Sequence, residues 1–104
     1  MKILLLSEKE IADLLTIEEV MEVVEKAFIE KALGYVQMPP KVYLNFFNYN
    51  GDLRAMPAYL ERLDVASVKI VNSHPENPKK FGMPTVTAVI LLLDPKRYST
   101  QISC

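Results

Sequence analysis

Three cations sit in stretches that otherwise read as strand. Lys69 lies in VASVKIVN, flanked by Val68 and Ile70, with Val65, Ser67 and Val71 on its own face. An ammonium among such neighbours costs desolvation free energy unless a carboxylate or a functional pocket receives it. The competing reading is an edge-strand lysine that guards against aggregation. Arg54, in LRAMPA, carries a planar fork that matches a carboxylate at two points. Lys41, in PPKV, offers a point charge without that fork. The competing reading of Arg54 and of Lys41 is a solvated strand charge.

His74, in NSHPEN, is the sole histidine and the sole side chain whose ordinary pKa lies near neutrality. Placed before a proline in a loop, it reads as a packing residue sooner than as a base. Asn72 and Asn77 read as loop caps, bonding side chain to backbone. Glu8, Glu10, Glu18, Glu19 and Glu22 form an acidic group on a solvated helical face.

These residues need elements to position them. Ile3 to Leu6 reads as a short strand. Ser7 with Glu10, and Thr16 with Glu19, each form an S/T-x-x-E capping box before an apolar group. Ile17, Val20, Met21, Val24, Ala27, Phe28 and Ala32 then recur at steps of three and four, one stripe on a long helix that Gly34 ends. Pro39 and Pro40 forbid helix across that point, and the chain beyond them reads as sheet. Lys41 to Tyr49 and Leu53 to Leu60 make a hairpin about Asn50-Gly51, the pair that favours a type I′ turn with positive φ at both positions. Pro57 restricts the second strand to an edge or a bulge. Val65 to Asn72 and Thr85 to Leu93 are further strands, joined by the proline-rich loop Ser73 to Pro84. The expected fold is α+β, with two N-terminal helices packed on a mainly antiparallel sheet. Thr85 to Leu93 is apolar on both alternating faces, so both faces should be covered, one by the helices and the other by a second copy of the chain.

Half of the 104 residues are apolar, enough for one domain with a core. Lys plus Arg number 12 and Asp plus Glu 13, a balance with no footprint for nucleic acid or an anionic membrane. One cysteine, Cys104, excludes a disulfide framework and a zinc-ligand set, and reads as an incidental thiol. The start lacks the long apolar stretch of a signal peptide, and no run reaches transmembrane length. A soluble, cytoplasmic domain is expected.

The ordered set MPPKV, LRAMPA, VKIVNSHPEN and PTV, spread from about Leu5 to Pro95, resembles the ornithine cyclodeaminase/mu-crystallin family, in particular its archaeal alanine dehydrogenase branch. The resemblance implies a protein acting on small amino acids with NAD, oxidising them to keto acids or cyclising ornithine with loss of ammonia. It implies that Lys69 faces the substrate and assists proton transfer, that Arg54, Lys41 and Lys69 bind it, and that Thr85 stands near the cofactor. Many relatives carry an arginine at the position of Lys41, and the spacing from Arg54 to Lys69, which includes ERLD, is longer than in close relatives. In that family such a portion forms part of the substrate pocket and a dimer interface, and a separate Rossmann domain holds the dinucleotide. No G-x-G-x-x-G is present here, so no Rossmann domain is expected within these residues and no cofactor is expected to bind this chain alone.

Residues 1–104 thus read as one substrate-binding and dimerisation domain of a truncated protein, inactive alone. The alternatives are a stand-alone dimeric binding module for a small amino acid or carboxylate, and a folded relic. Residues 96–104 depart from the family. One permitted back-translation of Arg97 to Ser103, shifted by one base, reads Gly-Ile-Pro-Leu, as the family would continue, so a frameshifted tail is expected.

Overall fold

The computed structural model describes residues 3–96 and the backbone of residues 100–103. Its elements are β1 (Ile3–Leu6), α1 (Glu8–Leu14), α2 (Ile17–Ala32), β2 (Val36–Gln37), β3 (Val42–Phe46), β4 (Gly51–Leu60), β5 (Val65–Ser73), α3 (Asn77–Phe81), β6 (Val86–Leu93) and β7 (Thr100–Ser103). The fold is α+β, as expected. Cys104 and the side chains of the tail lie outside the described residues.

Capping starts both N-terminal helices. Ser7 accepts from the Glu10 amide at 3.2 Å, and Thr16 completes a reciprocal box, with its own amide donating to Glu19 Oε1 at 3.2 Å. Gly34, at φ 87°, ends α2: its amide donates to the Lys31 carbonyl and the Tyr35 amide to that of Glu30. Those two bonds satisfy carbonyls that a helix end would otherwise leave open.

One seven-stranded sheet runs in the order β1-β7-β6-β5-β4-β2, with β3 also on β4. The β1–β7 pair is parallel and the rest antiparallel. β1 and β2 stand at opposite edges, so α1 and α2 carry the chain from one edge to the other. Pro57 sits within β4, between Ala55, which pairs with β3, and Tyr59, which pairs with β2. It therefore occupies a gap in that side of the ladder, where a missing N–H costs nothing.

The Asn50-Gly51 turn differs from expectation. Asn50 is left-handed (φ 48°) after a 3-10 turn over Phe47–Tyr49, whereas Gly51 has no positive φ and opens β4. The connection is longer than a two-residue turn. Gly51 is required for a different reason: a Cβ there would fall 2.3 Å from Nδ1 of His74.

Helix and sheet meet where α2 contacts β4. Glu30, with 9% of its surface exposed, receives the Arg62 guanidinium, with Nε at 2.8 Å from Oε2. The same guanidinium lies 4.2 Å from the Tyr35 ring centroid. This junction is polar, and the apolar stripe of α2 remains open: Phe28 is 69% exposed and Met21 65%. β6 exposes Ile90 and Leu92 on one face and is half-buried at Val89 and Leu91 on the other; the helix junction lies at β4, two strands away. Among the described residues no apolar side chain is buried. No helix among them is long and apolar enough to cross a membrane.

Candidate functional site

Sheet register decides which of the cations can act together. Tyr43 pairs with Arg54, Arg54 with Val71, Met56 with Lys69, and Lys69 with Ile90. Register partners show their side chains on the same face, and so do residues two apart on one strand. Tyr43, Arg54, Met56, Lys69 and Ile90 therefore share one face. Arg54 and Lys69 are diagonal neighbours on adjacent strands, roughly 7–8 Å apart at the backbone. Both sit inside the sheet and not at its edge, since β5 is paired on both sides.

Arg54 is already engaged. Its Nε lies 2.9 Å from Asp52 Oδ1 and its Nη2 3.3 Å from Oδ2, and its Cζ stands 5.4 Å from the Tyr43 ring centroid. The hydrogen bonds to Asp52 push the guanidinium further up from its already high pKa, so it stays cationic. Asp52 precedes Arg54 by two residues, a spacing that puts both on one face of a strand. Reading the sequence for cations alone misses Asp52, although the spacing in GDLR is the signal that finds it.

Lys69 is exposed, so in this chain its ammonium does not bear the desolvation cost that its apolar neighbours imply. Asp52, on the same face of β4, is held by Arg54. Lys41 is exposed one residue before β3 and two before Tyr43. Thr85 is half-buried at the head of β6, and its carbonyl accepts from the His74 amide at 2.8 Å.

His74 lies on the opposite face. Its Nε2 is 3.0 Å from Asn72 Oδ1, its ring is parallel to Phe46 at 5.9 Å, and it lies against Gly51. Asn77 does cap the loop, donating from Nδ2 to the Pro84 carbonyl at 3.2 Å; Asn72 serves the imidazole instead. His74, Asn72 and Asn77 line a 450 Å³ cleft with Asn48, Tyr49 and Phe81, away from Lys69 and Arg54.

Two further charge groups are structural. The Arg62 guanidinium holds the Glu30 carboxyl below its usual value. Tyr59 donates to Asp64 at 2.9 Å, which lowers Asp64 with help from Lys96 at 3.2 Å and raises the tyrosine.

Gly34 and Gly82 end helices with open space around them, and Gly51 is filled by His74. Among the described residues no three His, Cys, Asp or Glu side chains gather as metal ligands.

A model of the ornithine cyclodeaminase/mu-crystallin family matches residues 1–99. An alanine dehydrogenase of Archaeoglobus fulgidus is 51% identical over 96 residues, covering 92% of this chain and 28% of that protein. A Thermococcus litoralis Δ1-pyrroline-2-carboxylate reductase, solved with NADH and L-proline, superposes with a TM-score of 0.89 at 40% identity, over 96% of this chain and 31% of that one. An archaeal alanine dehydrogenase dimer with bound NAD superposes with a TM-score of 0.84 at 47% identity, over 98% and 31%. The chain spans less than a third of the length of these relatives.

Proposed function

The chain belongs to the ornithine cyclodeaminase/mu-crystallin family, and from that premise we propose that it is the substrate-binding and dimerisation part of an NAD-dependent amino-acid dehydrogenase or cyclodeaminase. The observation that carries this reading is the placement of Arg54 and Lys69 as diagonal neighbours on one sheet face. Arg54 takes the carboxylate of a small amino acid, with Lys41 adding charge at the rim. Lys69 faces the reacting carbon and holds or passes a proton. Thr85 contacts the nucleotide when a nucleotide-binding domain is present. That cofactor supplies the hydride chemistry; this chain supplies binding and orientation, and is inactive alone. The working form is a cytoplasmic homodimer. Support for the dimer comes from the uncovered apolar surface here and from the dimeric archaeal relative.

Calorimetric titration of the chain with L-alanine, L-proline and L-ornithine tests the reading. Saturable binding lost in both Arg54→Ala and Lys69→Ala is expected. Binding that survives both changes refutes the site, and no binding to the wild-type chain favours a folded relic.

A further inference from the structure

We propose that Asp52 is a positioning residue that grips one edge of the Arg54 guanidinium and so presents the other edge to the carboxylate of the ligand. This rests on the reading of Arg54 as the carboxylate site. A guanidinium has five N–H donors in a fixed plane. Asp52 occupies the Nε–Nη2 edge, at 2.9 and 3.3 Å. The Nη1–Nη2 edge keeps a parallel pair of N–H groups, the same two-point geometry, for a second carboxylate. Cζ stands over the Tyr43 ring, 5.4 Å from its centroid, so the cation also meets an aromatic face.

Strand spacing makes the grip intrinsic. Asp52 and Arg54 are two apart on β4, and β4 is held by β3 on one side and β5 on the other. An arginine loses much rotamer freedom when a ligand fixes it; here that loss is incurred on folding. The ligand need not evict Asp52, because the edge it requires is open. A rival role, Asp52 as a stand-in that substrate must displace, predicts the opposite mutant effect.

The test uses the full chain, L-alanine and L-proline as probes, and arginine labelled with 15N. The Arg54 Nε–H signal should persist, downfield and slow to exchange, when either amino acid saturates the site. Asp52→Asn should weaken both affinities roughly two- to tenfold, and Asp52→Glu should recover part of the loss. Tighter or unchanged binding in Asp52→Asn overturns the proposal, as does an Nε–H signal that moves upfield on saturation. If Asp52→Asn fails to fold, the wild-type signal decides alone. Binding that survives Arg54→Ala would instead refute the carboxylate site itself.

Discussion

Gly51→Ala should destabilise the chain, and chiefly while His74 is present. A Cβ at 51 would stand 2.3 Å from His74 Nδ1, 2.5 Å from Cε1 and 3.0 Å from the Ser73 carbonyl, where ordinary contact begins at 3.4 Å. The imidazole cannot step aside freely. Its Nε2 is bonded to Asn72, its ring lies parallel to Phe46, and its own amide is tied to the Thr85 carbonyl. Overpacking of this kind costs about 1–3 kcal/mol, and a lost hydrogen bond a further ~1 kcal/mol. About 3 kcal/mol is the expected cost. Gly51 has no positive φ, so alanine meets no backbone penalty of its own. In a His74→Ala background most of that cost should vanish, leaving only the close approach to the Ser73 carbonyl, which a gain of about 0.4–1 kcal/mol through the unfolded chain offsets in part. Urea unfolding of the four variants at one fixed protomer concentration measures the coupling. An equal cost of Gly51→Ala in both backgrounds would refute the reasoning.

Acid should weaken the helix–sheet junction at Glu30 and the Tyr59–Asp64–Lys96 group. Glu30 and Asp64 are both held below their ordinary values of 4.5 and 3.8, so their stabilising effect is complete above those values and is lost as pH falls through the lower folded ones. Unfolding midpoints should be flat above about pH 5 and fall below it, and Glu30→Gln should flatten that limb; an unchanged acid limb would count against the junction. Thr16→Ala removes the hydroxyl that accepts from the Glu19 amide, leaving the Thr16 backbone amide to donate to Glu19 as before, and should cost about 1 kcal/mol, checked by the same unfolding curves. The chain alone should give no NAD reduction with small amino acids, followed by absorbance; turnover that Lys69→Ala abolishes would contradict the proposed division of labour.

Periodicity and caps make β1, α1 and α2 legible, because their signals are local. Thr16 with Glu19, and Gly34, act as their residue types predict. β2 is two residues long and exists only because β4 offers an edge to it, so no pattern in Val36–Gln37 could announce it. α3 hides inside the proline-rich loop expected over Ser73 to Pro84, although Pro78 in its first turn and Gly82 at its end are start and stop signals. The reason that singles out Asn50-Gly51 is only half correct: Asn50 supplies the left-handed residue and Gly51 supplies room for a histidine 23 positions later. No local rule contains that contact. The site obeys the same division. Strand alternation puts Lys69 with Ser67 and Val71, whereas its position beside Arg54 is a fact of register between β4 and β5.

Register also ties ligand binding to assembly. A sheet is stable when a second layer covers it, and here Ile90 and Leu92, on the face of Lys69, are each 38% exposed. A second copy laid on that face would remove apolar surface from water and remove water from Lys69 with it. Asp52, the carboxylate beside this site, is committed to Arg54, so a covered Lys69 lacks a counter-charge until a ligand brings one. Ligand and cover must then favour each other by the same factor. Sedimentation across a concentration series should show tighter self-association when L-alanine is added. Lys69→Met should associate more tightly without ligand and show no response to it, since its side chain can be buried without a partner. Association that ignores L-alanine in the wild-type chain, while calorimetry still shows binding, would mean that the covered surface and the site lie on different faces.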